Sequence, residues 1–165
     1  MGNLYKSAKN GWYKVLNKQK FIFPVNESVS VMKSFKIIDD EINVNYRSGL
    51  ELKCLRYCDM NIHVKKFSLE PFAVKYLSPK DGKTHRYFID FFIEFSNGQK
   101  FLVEVKSSGE TREPKKPSKK TEKALLNYQK ALQTFAINTA KWSAATQFCK
   151  EKELKFIILT EKELK

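Results

Sequence analysis

Residues 87–106, YFIDFFIEFSNGQKFLVEVK, constrain the fold more than any other stretch. Two runs rich in aromatic and β-branched residues meet at Asn97-Gly98, a strong local hairpin signal. A two-residue turn at that dipeptide would set Asp90 opposite Val105 and Glu94 opposite Phe101, mixing charge with apolar side chains on both faces. A three-residue loop over Ser96–Gly98, with Gly98 in the left-handed conformation, shifts the pairing by one residue. Ile89, Phe91 and Ile93 then face Val105, Val103 and Phe101, while Phe92 meets Leu102 and Glu94 meets Lys100. One face becomes wholly apolar, so this register is the expected one. It also sets Asp90 directly opposite Glu104, with Lys106 two residues on along the same face. Like charges directly opposed destabilise a sheet, so chemistry explains the pair better than stability does.

A hard divalent cation resolves the repulsion. Mg²⁺ takes oxygen ligands, keeps several waters, and commonly sits on one or two carboxylates plus phosphate oxygens. Asp90 and Glu104 are candidate ligands of that kind, Lys106 a candidate to hold or activate an attacking water, and Glu51 a candidate further ligand. The plainer alternatives stay open. Ser48 and Glu51 have the spacing of a capping box, and a lysine at a strand end often only blunts the edge. His85, just ahead of the first strand, is a candidate phosphate contact or simply solvated. Cys54, Cys58 and His63 lack a fourth ligand for zinc, and the two cysteines, four apart in a helix-like segment with apolar neighbours, read as structural thiols.

Around the hairpin the chain reads as a helix over 48–59, a strand at FAVKYL and a turn at SPKDGK. Two amphipathic helices are expected next, the second beginning near Thr139, then a closing buried strand, LKFIILT. Residues 1–45, with alternating basic and aromatic positions, read as an extended arm holding one or two short strands. Residues 107–123 carry two prolines and six cations between 112 and 123 without apolar periodicity, and read as a flexible basic loop. At 165 residues the chain suits a single domain, here an α/β fold with a mixed sheet flanked by helices over residues 46–165. With 31 Lys and Arg against 18 Asp and Glu, the net charge of +13 favours polyanionic partners, nucleic acid first. Arg47, Lys6, Lys9, Lys14, Lys115, Lys116, Lys119 and Lys120 are candidate backbone contacts, against the alternative of a merely solvated loop. No apolar run approaches the ~20 residues of a membrane span, and the three cysteines are too few for a disulfide framework, so a soluble intracellular protein without a membrane partner is expected.

The order Glu51, Asp90, Glu104-Val105-Lys106 resembles the PD-(D/E)xK nuclease superfamily. The wider text YRSGLELKCLRYCD, HRYFIDF, FLVEVK and AKWSAATQFCKEKELKFIILTEKEL is similar to the head completion nucleases of T-even-type tailed phages and, more distantly, to TnsA-type transposon endonucleases. The likeness covers about residues 40–165; the superfamily's usual proline before the aspartate is Ile89 here. It implies a restriction-endonuclease-like fold and a Mg²⁺-dependent DNA endonuclease, with Mn²⁺ as a substitute, acting when a packaged head is finished. It also implies metal held by Asp90, Glu104, the Val105 carbonyl and Glu51, with Lys106 as the motif lysine. Expected partners are double-stranded DNA and phage portal, neck or head proteins. The expected setting is the host cytoplasm during virion assembly, with the protein a monomer or a dimer on DNA. Two other readings stand beside it: a structural neck or portal protein that binds DNA without cutting, and an end-cleaving transposase subunit.

Overall fold

The structure, a computed structural model, describes residues 10–23, 34–71 and 73–165. Along the chain run β1 (Gly11–Lys14), a 3-10 turn (Lys18–Lys20), β2 (Phe35–Ile38), β3 (Glu41–Tyr46), α1 (Gly49–Met60), β4 (Val64–Leu69), β5 (Ala73–Leu77) and β6 (Thr84–Phe88). They are followed by β7 (Phe91–Phe95), β8 (Lys100–Val105), α2 (Glu122–Glu151) and β9 (Lys155–Leu159). The central sheet is mixed, in the order β4-β7-β8-β9, antiparallel except where β9 lies parallel to β8. A parallel neighbour demands a long crossover, and α2 supplies it.

Two apolar layers clamp this sheet. Phe91, Ile93, Val103 and Val105 point to one side, where they pack with Cys54, Leu55 and Cys58 of α1. Leu102, Phe92 and Phe156 point to the other, against Ala145 and Cys149 of α2 and Val74 and Tyr87 of the β5–β6 ribbon. The alternation of the hairpin therefore sorts its side chains between two cores rather than between a core and solvent. The architecture is the expected single-domain, restriction-endonuclease-like mixed sheet flanked by helices.

The β7–β8 register is the one the sequence predicts: Phe91 pairs with Val103, Phe92 with Leu102, Ile93 with Phe101 and Glu94 with Lys100. Gly98 closes the three-residue loop at φ +83°, donating its N–H to the Phe95 carbonyl at 2.9 Å. The strand does not continue back through Asp90, however. Ile89 and Asp90 break it, and the residues before them leave the central sheet to pair with β5 in a separate two-stranded ribbon. The Asp90 side chain explains the break, because its Oδ2 accepts the Val105 N–H at 2.9 Å, where a strand carbonyl would otherwise serve. The expected cross-strand rung between Asp90 and Glu104 is thus corrected to a carboxylate spliced into the end of the ladder.

Three other expectations change. The two carboxy-terminal helices are one α2 of 30 residues. Thr139 starts no new helix, since its hydroxyl donates within the helix to the Phe135 carbonyl at 2.9 Å, and Thr146 does the same to Trp142 at 2.8 Å. The described part of residues 1–45 is not an extended arm. It forms an antiparallel sheet, β1-β3-β2, that places Val15, Ile42 and Val44 in the α1-side core. Just beyond β1, the Ile22 N–H donates to the Phe67 carbonyl at 2.8 Å, so Phe21 and Ile22 cover the free edge of β4. Closing strand β9 is half-buried rather than buried, as the edge of the central sheet.

Candidate active site

The amino end of α1 is fixed first. Ser48 Oγ accepts the Glu51 N–H at 3.1 Å, and Glu51 Oε2 accepts the N–H of Arg47 at 2.8 Å. The reciprocal bond of a usual capping box goes to the cap residue itself; here it reaches one residue further back. Glu51 is thereby both the cap of α1 and a carboxylate at the rim of a cleft of about 240 Å³, lined by Ser34, Asn45, Arg47, Glu51, Glu70 and Asp90 among others.

Arg47 is the cation of this cleft. One guanidinium lies 2.9 Å from Glu70 Oε1, 3.6 Å from Asp90 Oδ1 and 3.8 Å from Glu51 Oε2. Burial opposes its charge, but Glu70, Glu51 and Asp90 outweigh burial and raise its pKa. Asp90 is pushed well up by burial and by Glu104, with the Val105 N–H and Arg47 pulling the other way. A buried carboxylate in a cleft, further pushed up by a neighbouring carboxylate, makes Asp90 a candidate functional group.

Glu70 escaped the sequence reading. It directly follows β4, just before Pro71, in the left-handed region at φ +44°, and its N–H donates to the Asp90 carbonyl at 2.9 Å. A non-glycine residue buried there is held against its own backbone preference, which together with its place in the cleft makes Glu70 a candidate site residue. The only signal in the sequence was a glutamate closing the apolar run before a proline, SLEP, which by itself reads as a strand end.

Glu104 belongs to the α2 side of β8. Its Oε2 accepts the Tyr87 hydroxyl at 2.6 Å in a buried bond, and its Oε1 lies 3.7 Å from Lys106 Nζ. The buried hydroxyl of Tyr87 is the second feature that the sequence did not single out. Lys106 keeps β8 in line by donating its N–H to the Leu159 carbonyl at 3.0 Å, and its ammonium stays partly exposed. The cleft thus holds Arg47, Glu51, Glu70 and Asp90, Asp90 is joined to β8 through the Val105 N–H, and Glu104 on β8 is joined in turn to Tyr87 and Lys106.

The donors present are hard oxygens, suited to Mg²⁺ or Mn²⁺ and not to a thiophilic metal. Among the described residues no three acidic, imidazole or thiol side chains converge closely enough to hold an ion as they stand. The guanidinium of Arg47 lies instead against Glu51, Glu70 and Asp90. Three carboxylates, Glu51, Glu70 and Asp90, share one guanidinium at 2.9 to 3.8 Å, and that surplus of hard oxygen donors over cations is the observation by which the site fits a divalent cation.

Of the basic candidates only Arg47 is in the cleft; the other described ones sit elsewhere. Lys115, Lys116, Lys119 and Lys120 are exposed on the segment between β8 and α2, whose first turn is tied down by Ser108 to Glu161. Lys14 pairs with Glu41 at 3.2 Å on the amino-terminal sheet, and Lys6 and Lys9 lie outside the described residues. His85 is on β6, paired with Asp81 at 2.9 Å, rather than in a loop.

A mixed sheet that opens a hairpin to seat an aspartate beside a Glu-x-Lys strand, with a glutamate on the preceding helix, defines a restriction-endonuclease-like protein. Residues 61–161 match the TnsA-like endonuclease N-terminal family. The chain is also 34% identical over 122 residues to the head completion nuclease of Enterobacteria phage T4, covering 74% of this chain and 81% of that protein. The chain belongs to the TnsA-like endonuclease family, and its role is that of a nuclease. The family match takes in Glu70, Asp90, Glu104 and Lys106, while Arg47 and Glu51 precede it.

Proposed function

We propose that this chain is a Mg²⁺-dependent DNA endonuclease with little sequence preference that acts in phage head completion after packaging. The observation that carries the proposal is the Asp90 carboxylate spliced into the β7–β8 ladder beside Glu104 and Lys106. Asp90, Glu104, the Val105 carbonyl and Glu51 would hold the metal. When bound, that ion supplies Lewis-acid polarisation of the phosphoryl group and a lowered pKa for a bound water.

The chain's own residues do the rest. The Val105 N–H fixes Asp90 Oδ2, and Tyr87 fixes Glu104 Oε2, so each carboxylate has one oxygen already oriented. Lys106 Nζ, beside Glu104 Oε1, donates to the attacking water or to a phosphoryl oxygen as charge builds there. Arg47 is placed to draw a backbone phosphate toward the cleft, and Glu70 keeps its guanidinium aimed. Water adds to phosphorus, the P–O3′ bond breaks, and the products are a 5′-phosphate and a 3′-hydroxyl. The head-completion setting rests on the likeness to the phage T4 head completion nuclease, and portal, neck or head proteins as neighbours in the host cytoplasm are part of the same proposal.

The test is cleavage of supercoiled and branched DNA by the purified protein with Mg²⁺, Mn²⁺ or EDTA, beside Lys106→Ala. Metal-dependent cutting that EDTA abolishes, and that falls about 10²-fold or more in the variant, is the expected result. A folded wild type that binds DNA but does not cut it, whichever divalent ion is supplied, would overturn the reading in favour of a non-catalytic neck protein. Tyr87→Phe is a finer probe. Without its donor, Glu104 should lose about 10- to 100-fold in activity, with a raised Mg²⁺ requirement. An unchanged metal titration would mean that the tyrosine only packs.

A further inference from the structure

The β5–β6 ribbon is joined to the site at both ends. β5 begins three residues after Glu70, β6 ends two residues before Asp90, and the two junctions are tied by the Glu70 N–H to Asp90 carbonyl bond at 2.9 Å. Its two faces are distinct. Val74, Tyr76 and Tyr87 pack toward α2, where the Lys141 ammonium lies 5.7 Å and 5.5 Å from the rings of Tyr76 and Tyr87. By alternation, Lys75 and Arg86 occupy the opposite face, both exposed.

These two cations are direct cross-strand partners, Lys75 opposite Arg86. Like charges in that position destabilise a hairpin, and a two-stranded ribbon has little stability to spare. The ribbon itself offers them no acidic partner: Asp81 is the only carboxylate in residues 73–88, and it is engaged by the Lys83 N–H at 3.1 Å and by His85 at 2.9 Å. Among the described residues neither Lys75 nor Arg86 forms an ion pair. Lys80 and Lys83 add two more cations at the ribbon's turn. Arg86 is instead backed by the Phe88 ring at 5.7 Å, which steadies the guanidinium without consuming its hydrogen-bonding fork. Two opposed cations left open toward solvent, on strands leading directly into a nuclease site, call for an external polyanion. At about 3.3 Å per residue, Arg86 stands roughly 13 Å along the chain from Asp90, the reach of about two nucleotides of backbone.

We propose that the outer face of the β5–β6 ribbon is a docking arm for the DNA phosphate backbone, with Lys75 and Arg86 gripping phosphates beside the one to be cut. This deepens the nuclease reading and rests on it. The arm carries no base-reading chemistry, so its grip is indifferent to sequence.

The measurement is binding of two unrelated 30-base-pair duplexes in EDTA across a salt series. It compares wild type, Lys75→Gln/Arg86→Gln, and a charge-matched control, Lys100→Gln/Lys155→Gln, at the opposite end of the central sheet. The ribbon variant should bind both duplexes at least about tenfold more weakly, with a log K against log salt slope shallower by about two, and the control should stay near wild type. Lys75→Glu provides a second readout, because it gives Arg86 an opposite-charge partner. It should melt no lower than wild type while also losing affinity. Ribbon variants with wild-type affinity and slope would overturn the docking arm and leave the nuclease reading standing. A wild type that binds neither duplex at any salt would overturn both.

Discussion

Replacing Asp90 by Asn should reduce DNA cleavage by about 10³-fold or more and leave the protein no less stable. The two halves of the prediction come from the same geometry. An amide oxygen at the Oδ2 position still accepts the Val105 N–H, so the break between β6 and β7 survives. What disappears is the negative charge, held in a buried place against Glu104. An acid whose pKa is raised on folding contributes most stability at low pH and loses it as pH rises through the raised value, so ionised Asp90 works against the fold at neutral pH. The substitution removes that opposition, and only the weaker attraction to Arg47 is lost with it. Cleavage assays beside thermal melts at pH 7.5 check both halves. A variant that cuts at more than a tenth of the wild-type rate, or that unfolds several degrees earlier, would show that Asp90 is a structural ligand of Val105 and not the reactive carboxylate. Trading stability for chemistry is what a functional site is expected to do.

The part of the site that the sequence announced was the part written in short-range pattern. Asn97-Gly98 and the alternation on either side of it fixed which residues of β7 and β8 share a face, and the register followed to the residue from Phe91 to Glu94, though not through Ile89, which packs in the α2-side core instead. Ser48 and Glu51 likewise announced the start of α1, because a cap is a local contact of three residues. What stayed hidden is tertiary. Glu70 becomes part of the cleft only because Arg47, 23 positions earlier in the chain, reaches across to it, and because its own φ is positive. Tyr87 reads as an ordinary strand aromatic until the fold sets its hydroxyl against Glu104. The split at Ile89–Asp90 was also invisible. Both halves have strand-forming composition, and only the competition between Asp90 and the main chain for the Val105 N–H decides that the strand ends there. The same competition, run the other way, misled the reading of α2. Threonine at position 139 resembles a helix start, yet its hydroxyl finds a partner inside the helix and the helix runs on.

The other large effect is expected far from the chemistry, at Asp59. This residue closes α1 and is wholly buried, an unfavourable place for an acid both by desolvation and by the partial negative charge at a helix's carboxy end. It is retained because it gathers the amino-terminal segment. Asp59 Oδ2 accepts the Tyr13 hydroxyl and the Leu16 N–H, and Oδ1 accepts the Asn17 N–H, each at 2.8 Å. Asn17 Nδ2 and Lys20 Nζ reach the Asp59 carbonyl at 2.9 and 2.8 Å, capping the helix from outside. Asp59→Ala strands those partly buried donors, each of which costs up to about 1–3 kcal/mol when left unpaired. The expected loss is about 3–5 kcal/mol, or roughly 10 °C in Tm for a chain of this size. Because the same segment brings Val15 and the β1–β3 pairing to the α1-side core, its release should expose that core and not merely fray a terminus. The pH dependence is fixed in sign. Burial pushes the Asp59 carboxyl up, but the bonds from Leu16, Tyr13 and Asn17 outweigh it and hold the pKa below its ordinary value. Its stabilisation is therefore fully present above the unfolded value, near pH 4, and fades as pH falls through the lowered folded value. Denaturant melts of wild type and Asp59→Asn should differ most at pH 7 and converge toward pH 2. A gap that stays constant over that range would place the effect in packing rather than in the ionised carboxylate.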